Sequence, residues 1–113
     1  MHLSIVITIK NEAKSIVELL DSLVIQEKPF EIIIVDAKSD DGTREIVEDY
    51  KKNYEQIKLF IHGGSRGESR NFGVSKAKGD VVAFTDGGCR ADKNWLKELK
   101  KKIYEDFTKK FFR

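Results

Sequence analysis

The chain has one cysteine, one proline and no long uninterrupted apolar run. A lone Cys89 rules out an internal disulfide and fits a reducing compartment. Without an apolar run of about 18 residues, and without a charged-then-apolar leader, neither a membrane span nor a signal peptide is expected. Pro29 falls just ahead of an apolar run, where it ends a connection rather than interrupting an element. Charge of one sign is missing as well. The 21 basic and 19 acidic side chains leave a net +2, too balanced to argue for nucleic acid. Neither G-x-G-x-x-G nor G-x-x-x-x-G-K-[ST] occurs, which removes a dinucleotide-binding fingerprint and a P-loop. The loop after the first apolar run reads Thr8-Ile9-Lys10-Asn11-Glu12. It lacks the glycines of a sugar-nucleotide pyrophosphorylase and the acids of a phospho-acceptor receiver domain.

What is present is an alternation of strand and helix patterns. With 113 residues, 40% hydrophobic and 35% charged, the chain reads as one globular domain. Ser4 to Ile9 reads as a buried strand, and Asn11 as the N-cap of a helix carrying Ile16, Val17, Leu19, Leu20, Leu23 and Val24. Phe30 to Val35 is the next strand. Asp41-Gly42-Thr43 opens a helix with Ile46, Val47 and Tyr50, and Ile57 to Ile61 is a short strand broken by Gly63-Gly64. A polar helix is expected from about Gly67 to Lys78, closed by Gly79 at C′. Val81 to Thr85 is the fourth strand, and a final helix with Trp95, Leu96, Leu99, Ile103 and Phe107 starts near Asp92 or Asn94. Such alternation predicts a mainly parallel α/β sheet of about four strands, Rossmann-like, covered on both faces. From Lys97 onward there are seven basic side chains against three acidic ones, read as a solvated helix face, with a phosphate-rich or membrane surface as the alternative. Adjacent Phe111 and Phe112 suggest that further protein, a second copy or another partner covers them.

Three segments carry chemistry. Two apolar runs stop at an acid, Asp36 and Asp86, and in an open parallel sheet ligands bind beyond the carboxyl ends of strands. A carboxylate there suits a hydroxyl or base N–H donor, or a divalent cation. The alternative for Asp86 is a cap on its own loop. Ser65 to Gly73 places Arg66 and Arg70 around a helix start, where free N–H groups already favour anions. The alternative is surface arginines paired with nearby acids. Cys89 stands without the Cys or His spacing of a zinc site and reads as a buried small residue. His62 reads as a loop histidine rather than a base, and His2 as a terminal one.

Taken in order, the segments resemble family 2 glycosyltransferases. Ile5 to Glu12 is similar to their opening strand, Glu31 to Asp36 with Ser39-Asp40-Asp41-Gly42-Thr43 to their second strand and turn. Ser69-Arg70-Asn71-Phe72-Gly73 with Ala77 to Asp80 resembles their third-helix signature, and Phe84 to Cys89 with Trp95-Leu96 their metal-binding segment. The resemblance implies a GT-A fold and a nucleotide-sugar donor. By it, Thr8, Lys10, Asn11, Glu12 and Asp36 would hold base and ribose, Ser39 would be a further substrate-binding residue, and Arg70 would sit by the nucleotide. Asp86 would meet a Mg²⁺ or Mn²⁺ bridging the diphosphate. Transfer in such families is inverting, with a separate carboxylate base and an acceptor that the sequence leaves open among glycan, lipid and protein. Gly88 departs from the pattern, standing where a second acid is usual. The family's acceptor-binding part and base lie downstream of the metal segment, so residues 1–113 correspond to a single donor-binding domain. A cytoplasmic location is expected, with a peripheral place at the membrane as the alternative. The alternative function is a non-catalytic nucleotide- or protein-binding module of the same fold.

Overall fold

In the computed structural model, the backbone is described for residues 2–112 and the side chains for residues 2–106. Strands and helices alternate as β1 (Leu3–Ile9), α1 (Ile16–Val24), β2 (Phe30–Asp36), α2 (Thr43–Asn53), β3 (Ile57–Ile61), α3 (Arg66–Lys76), β4 (Val81–Asp86) and α4 (Trp95–Phe112). The sheet runs β3-β2-β1-β4 with every pairing parallel. β1 and β2, rich in Ile and Val, lie in its middle and are buried almost throughout. Edge strands β3 and β4 are only partly covered.

Alternation along the strands divides the core. Leu3, Ile5, Ile7, Ile9, Phe30, Ile32 and Ile34 pack on one face against α1, Val47 of α2 and Leu96 of α4. Val6, Ile33 and Val35 pack on the other against Phe72 of α3. This second face carries α3 as its helix, and Val74 and Phe84 stay 42% and 48% exposed, so its cover is thinner than the alternation predicts. α3 lies close to the sheet because Gly73 faces it; a Cβ there would come within 2.6 Å of Val6 Cγ1. Gln26 anchors α4, donating to the carbonyls of Ser22 (2.9 Å) and Asp92 (2.8 Å) and accepting from Leu96 N–H (2.9 Å).

The ends of the helices differ from the sequence expectation. Asn11 is not an N-cap. It sits at φ +53° with Oδ1 accepting from Asp40 N–H (2.9 Å), and α1 starts after Ser15. α3 starts at Arg66, one residue earlier than expected, under a reciprocal capping box of Ser65 and Glu68. It ends at an extended Ala77, so Gly79 is not its C′ residue. Gly79 is needed for close approach instead: a Cβ would stand 2.7 Å from Ser4 Oγ and 2.8 Å from His2 O. Cys89 is exposed rather than buried, because the turn after edge strand β4 faces outward.

At the amino ends of the strands Glu31 is buried and accepts from Ser4 Oγ, Lys58 Nζ (2.8 Å) and Lys78 N–H (2.6 Å). Burial alone would raise its carboxyl, but the bonds from Lys58, Ser4 and Lys78 outweigh it and hold the group down at about 2. No described helix is long and apolar enough to cross a membrane. The Phe107, Phe111 and Phe112 side chains, and any dimer contact through the last two, lie outside the described residues.

Candidate functional site

The carboxyl ends of β1, β2 and β4 bring their loops together. Register places Thr8 of β1 beside Asp86 of β4, and Ile9 beside Asp36 of β2. The loops after β1 and β2 are laced by Asn11 N–H to Ser39 Oγ (2.9 Å), Asp40 N–H to Asn11 Oδ1 (2.9 Å), Glu12 N–H to Thr43 Oγ1 (2.9 Å) and Ala13 N–H to Asp41 Oδ2 (3.2 Å). Thr43 also hydrogen-bonds Asp41 through its hydroxyl, which holds that carboxyl below its usual range. Ser15 Oγ donates to Glu12 Oε2 (2.9 Å) and lies 3.1 Å from the carbonyl of Gly87, joining the first loop to the last. Gly87 is tightly set, since a Cβ there would fall 2.8 Å from Ile9 Cγ2.

Above these loops lies a cleft of about 180 Å³ lined by Thr8, Ile9, Lys10, Glu12, Ala37, Gly64, Arg66, Ser69, Asp86 and Gly87. Of the residues expected from sequence, Thr8, Lys10, Glu12 and Asp86 line it. Asn11 and Ser39 do not, being used to hold the loops together. Arg70 stands beside it, 3.6 Å from Asp86 Oδ1, with its guanidinium 5.6 Å from the centre of the Phe84 ring. Asp36 is the clearest difference. It is fully buried, accepts from Ser39 N–H (2.9 Å) and Ser39 Oγ (2.5 Å), and lies 3.5 Å from Arg44 Nε. In this geometry its carboxylate anchors the Ser39 turn, and Ala37 presents the β2 loop to the cleft.

Sequence reasoning noted Arg66 only as part of a basic pair and gave Ser69 no role of its own. Both line the cleft from the first turns of α3, and Ser69 Oγ is a buried polar atom with no partner among the described residues. The Ser69-Arg70-Asn71 motif was the available signal. Its burial was not visible in one dimension. His62, a loop histidine as expected, stacks on Phe72 at 4.4 Å and donates its backbone N–H to the carbonyl of Asp36 (2.9 Å).

The fit to a divalent cation is partial. No group of three or more His, Cys, Asp or Glu able to hold a metal occurs among the described residues. The Asp86 side chain is 55% exposed at its strand end, and nothing lies within 4 Å of a Cβ built on Gly88, so there is open space for a hydrated ion. One strand-end carboxylate suits a cation that brings further oxygen ligands with it, such as those of a diphosphate, and the Arg70 guanidinium suits those anionic oxygens rather than the cation.

Comparison with known proteins agrees with this geometry. The family model described as glycosyl transferase family 2 matches residues 4–109. Glycosyltransferase AglE of Haloferax volcanii is 33% identical over 98 residues, which are 82% of this chain and 32% of that protein. The poly(ribitol-phosphate) beta-glucosyltransferase of Bacillus spizizenii is 41% identical over 92 residues, 76% of this chain and 14% of its own length. The crystal structure of Staphylococcus aureus TarS 1-349 in complex with UDP-GlcNAc superposes with a TM-score of 0.85 at 34% identity, over 93% of this chain and 32% of TarS 1-349. The mannosyltransferase PcManGT of Pyrobaculum calidifontis, in complex with GDP-Man and Mn²⁺, gives 0.73 at 26% identity over 80% of this chain and 29% of its own. The chain thus spans a third or less of the length of these relatives.

Proposed function

The chain belongs to glycosyl transferase family 2, and from that premise we propose that it is the donor-binding domain of a glycosyltransferase that takes a nucleoside diphosphate sugar. The observation that carries this reading is the cleft at the carboxyl edge of the sheet, where Lys10, Arg66 and the α3 N-terminus meet Asp86 and its partner Arg70. Lys10, Arg66 and the helix N-terminus, with Arg70 beside them, suit the phosphates of an anionic ligand, while Asp86 and Glu12 lie at the β4 and β1 ends of the same cleft. The complexes of TarS with UDP-GlcNAc and of PcManGT with GDP-Man support a nucleotide sugar in that place.

In this reading the diphosphate lies at the β4 end, beside Asp86 and Arg70, and the nucleoside extends over β1 toward β2. Arg70 and Lys10 stabilise phosphate oxygens, and the laced β1 and β2 loops keep the walls fixed as the ligand enters. A Mg²⁺ or Mn²⁺ bound by Asp86 together with the diphosphate would neutralise the charge of the leaving group. Transfer with inversion breaks the bond from the anomeric carbon to the diphosphate oxygen and forms one to the acceptor oxygen. The acceptor's proton passes to a carboxylate base. Of the nearby acids, Asp36 is buried on Ser39, Asp86 is given to the cation in this reading, and Glu12 accepts from Ser15 Oγ on the loop that would hold the nucleoside. We assign the base and the acceptor wall to protein outside this domain. The lone Cys89 supports a reducing, cytoplasmic location, and the lysines of α4 support a peripheral place at a membrane.

A melting experiment tests the reading. A nucleoside diphosphate at 100 times its Kd should add about 2.7 kcal/mol and raise Tm by several degrees, with Mn²⁺ enlarging the shift. No shift with any nucleoside diphosphate, with or without Mn²⁺, contradicts it.

A further inference from the structure

We propose that the groove between α4 and residues 25–29 docks on an anionic membrane through the phosphates of its lipid headgroups; the inference rests on the peripheral location above and names its surface. Residues 25–29 run alongside the helix. Gln26 joins Asp92 O and Leu96 N–H, and Lys100 Nζ donates to the carbonyls of Glu27 (2.9 Å) and Pro29 (3.1 Å). Between them lies a hollow of about 530 Å³ lined by Lys28, Pro29, Lys97, Lys100, Lys101 and Tyr104, with Glu27 and Glu105 as its two acids. It shares no residue with the cleft at the carboxyl edge of the sheet.

Charge and apolar surface coincide there. Lys51, Lys52 and Lys58 each pair with an acid, whereas Lys28, Lys97 and Lys101 pair with none among the described residues. Lys97, Lys101 and Tyr104 follow one another at helical spacing and so share one face of α4. Tyr104 (67%) and Ile25 (64%) are the most exposed large apolar or aromatic side chains among the described residues. One lines the groove, and the other begins the segment that forms its wall. A lysine stem adds apolar contact while its ammonium reaches outward, and a tyrosine ring suits the boundary between headgroups and acyl chains.

These features fit a lipid surface better than an acidic protein segment. Headgroups in a fluid layer gather around the four lysines and keep clear of Glu27 and Glu105, while a peptide presents its acids at fixed spacing. Pro29 and Tyr104 also find acyl chains directly beneath those charges. Pro29 immediately precedes β2, and the cleft lies at the other end of that strand, seven residues and roughly 20 Å away. Docked through the groove, the domain keeps its cleft clear of the membrane and open to a soluble ligand. The two surfaces therefore act independently.

Sedimentation with vesicles decides the matter. The wild type should bind phosphatidylcholine vesicles containing about 30% phosphatidylglycerol at about 0.1 M salt, leave them at about 1 M, and ignore phosphatidylcholine alone. Lys97→Gln with Lys101→Gln should weaken binding by roughly tenfold or more. Both side chains are exposed, so this variant should fold as the wild type does and keep its nucleoside diphosphate affinity. Lys51→Gln with Lys52→Gln, the same charge loss on α2, should stay within about twofold of wild type. Tyr104→Ser should weaken binding without altering its salt dependence. Equal losses in the two lysine pairs, or none in either, overturn the groove alone. So does a dimer, or capture of polyglutamate, that Lys97→Gln with Lys101→Gln abolishes while vesicles go unbound. Failure of the wild type to bind anionic vesicles overturns the membrane location as well.

Discussion

Gly88 stands two residues after Asp86 with open space where a Cβ would go, and its φ lies outside the left-handed region. An aspartate fits there without strain. Gly88→Asp should therefore leave Tm near wild type while tightening Mn²⁺ binding in the absence of nucleotide by roughly tenfold, since hard cations gain from a second carboxylate. The wild type should bind Mn²⁺ weakly alone and strongly with a nucleoside diphosphate. Tight wild-type binding of Mn²⁺ alone, measured by calorimetry, would show that the site has other ligands. Asp36 yields a different expectation. Because its oxygens hold the Ser39 turn, Asp36→Ala should cost about 2 kcal/mol in urea unfolding and weaken donor binding only through the loosened loop. A large loss of nucleotide affinity with unchanged stability would return Asp36 to direct contact with the ligand.

Among the elements, β2 holds the structure from both its ends. At the amino end Glu31 joins it to Ser4 of β1, Lys58 of β3 and the segment after α3 through Lys78 N–H. Its carboxyl is lowered from 4.5 to about 2, so the ionised form is favoured in the fold. That contribution is complete above about pH 4.5 and disappears as pH falls toward 2. Urea unfolding of the wild type should thus lose on the order of 3 kcal/mol more than Glu31→Gln across this window. Parallel pH profiles for the two proteins would contradict it. The strands themselves were legible, because β-branched runs such as Ile32-Ile33-Ile34-Val35 end at polar loops. The caps were less so. Asn11 and Gly79 read as local helix signals, yet each serves a contact with distant residues, Asp40 and Ser4 respectively. Local pattern cannot show a partner 29 or 75 positions away.

Across the whole molecule, parallel strands deliver every chemically distinctive loop to one edge, and the buried Glu31 network closes the other. The ordered motifs made the fold and the place of the cleft readable. They could not show that Asp36 is sealed under Ser39 or that Ser69 is buried without a partner, since both follow from how α3 and the β2 loop pack. The account makes one spatial claim above the rest, that a nucleoside diphosphate and a divalent cation share the cleft at the end of β4. Diffraction at the manganese edge from crystals soaked with UDP and Mn²⁺ tests it most directly. The account predicts an anomalous peak next to the Asp86 carboxylate, with the nucleotide in the same cleft. Manganese or nucleotide bound away from Asp86 would contradict it.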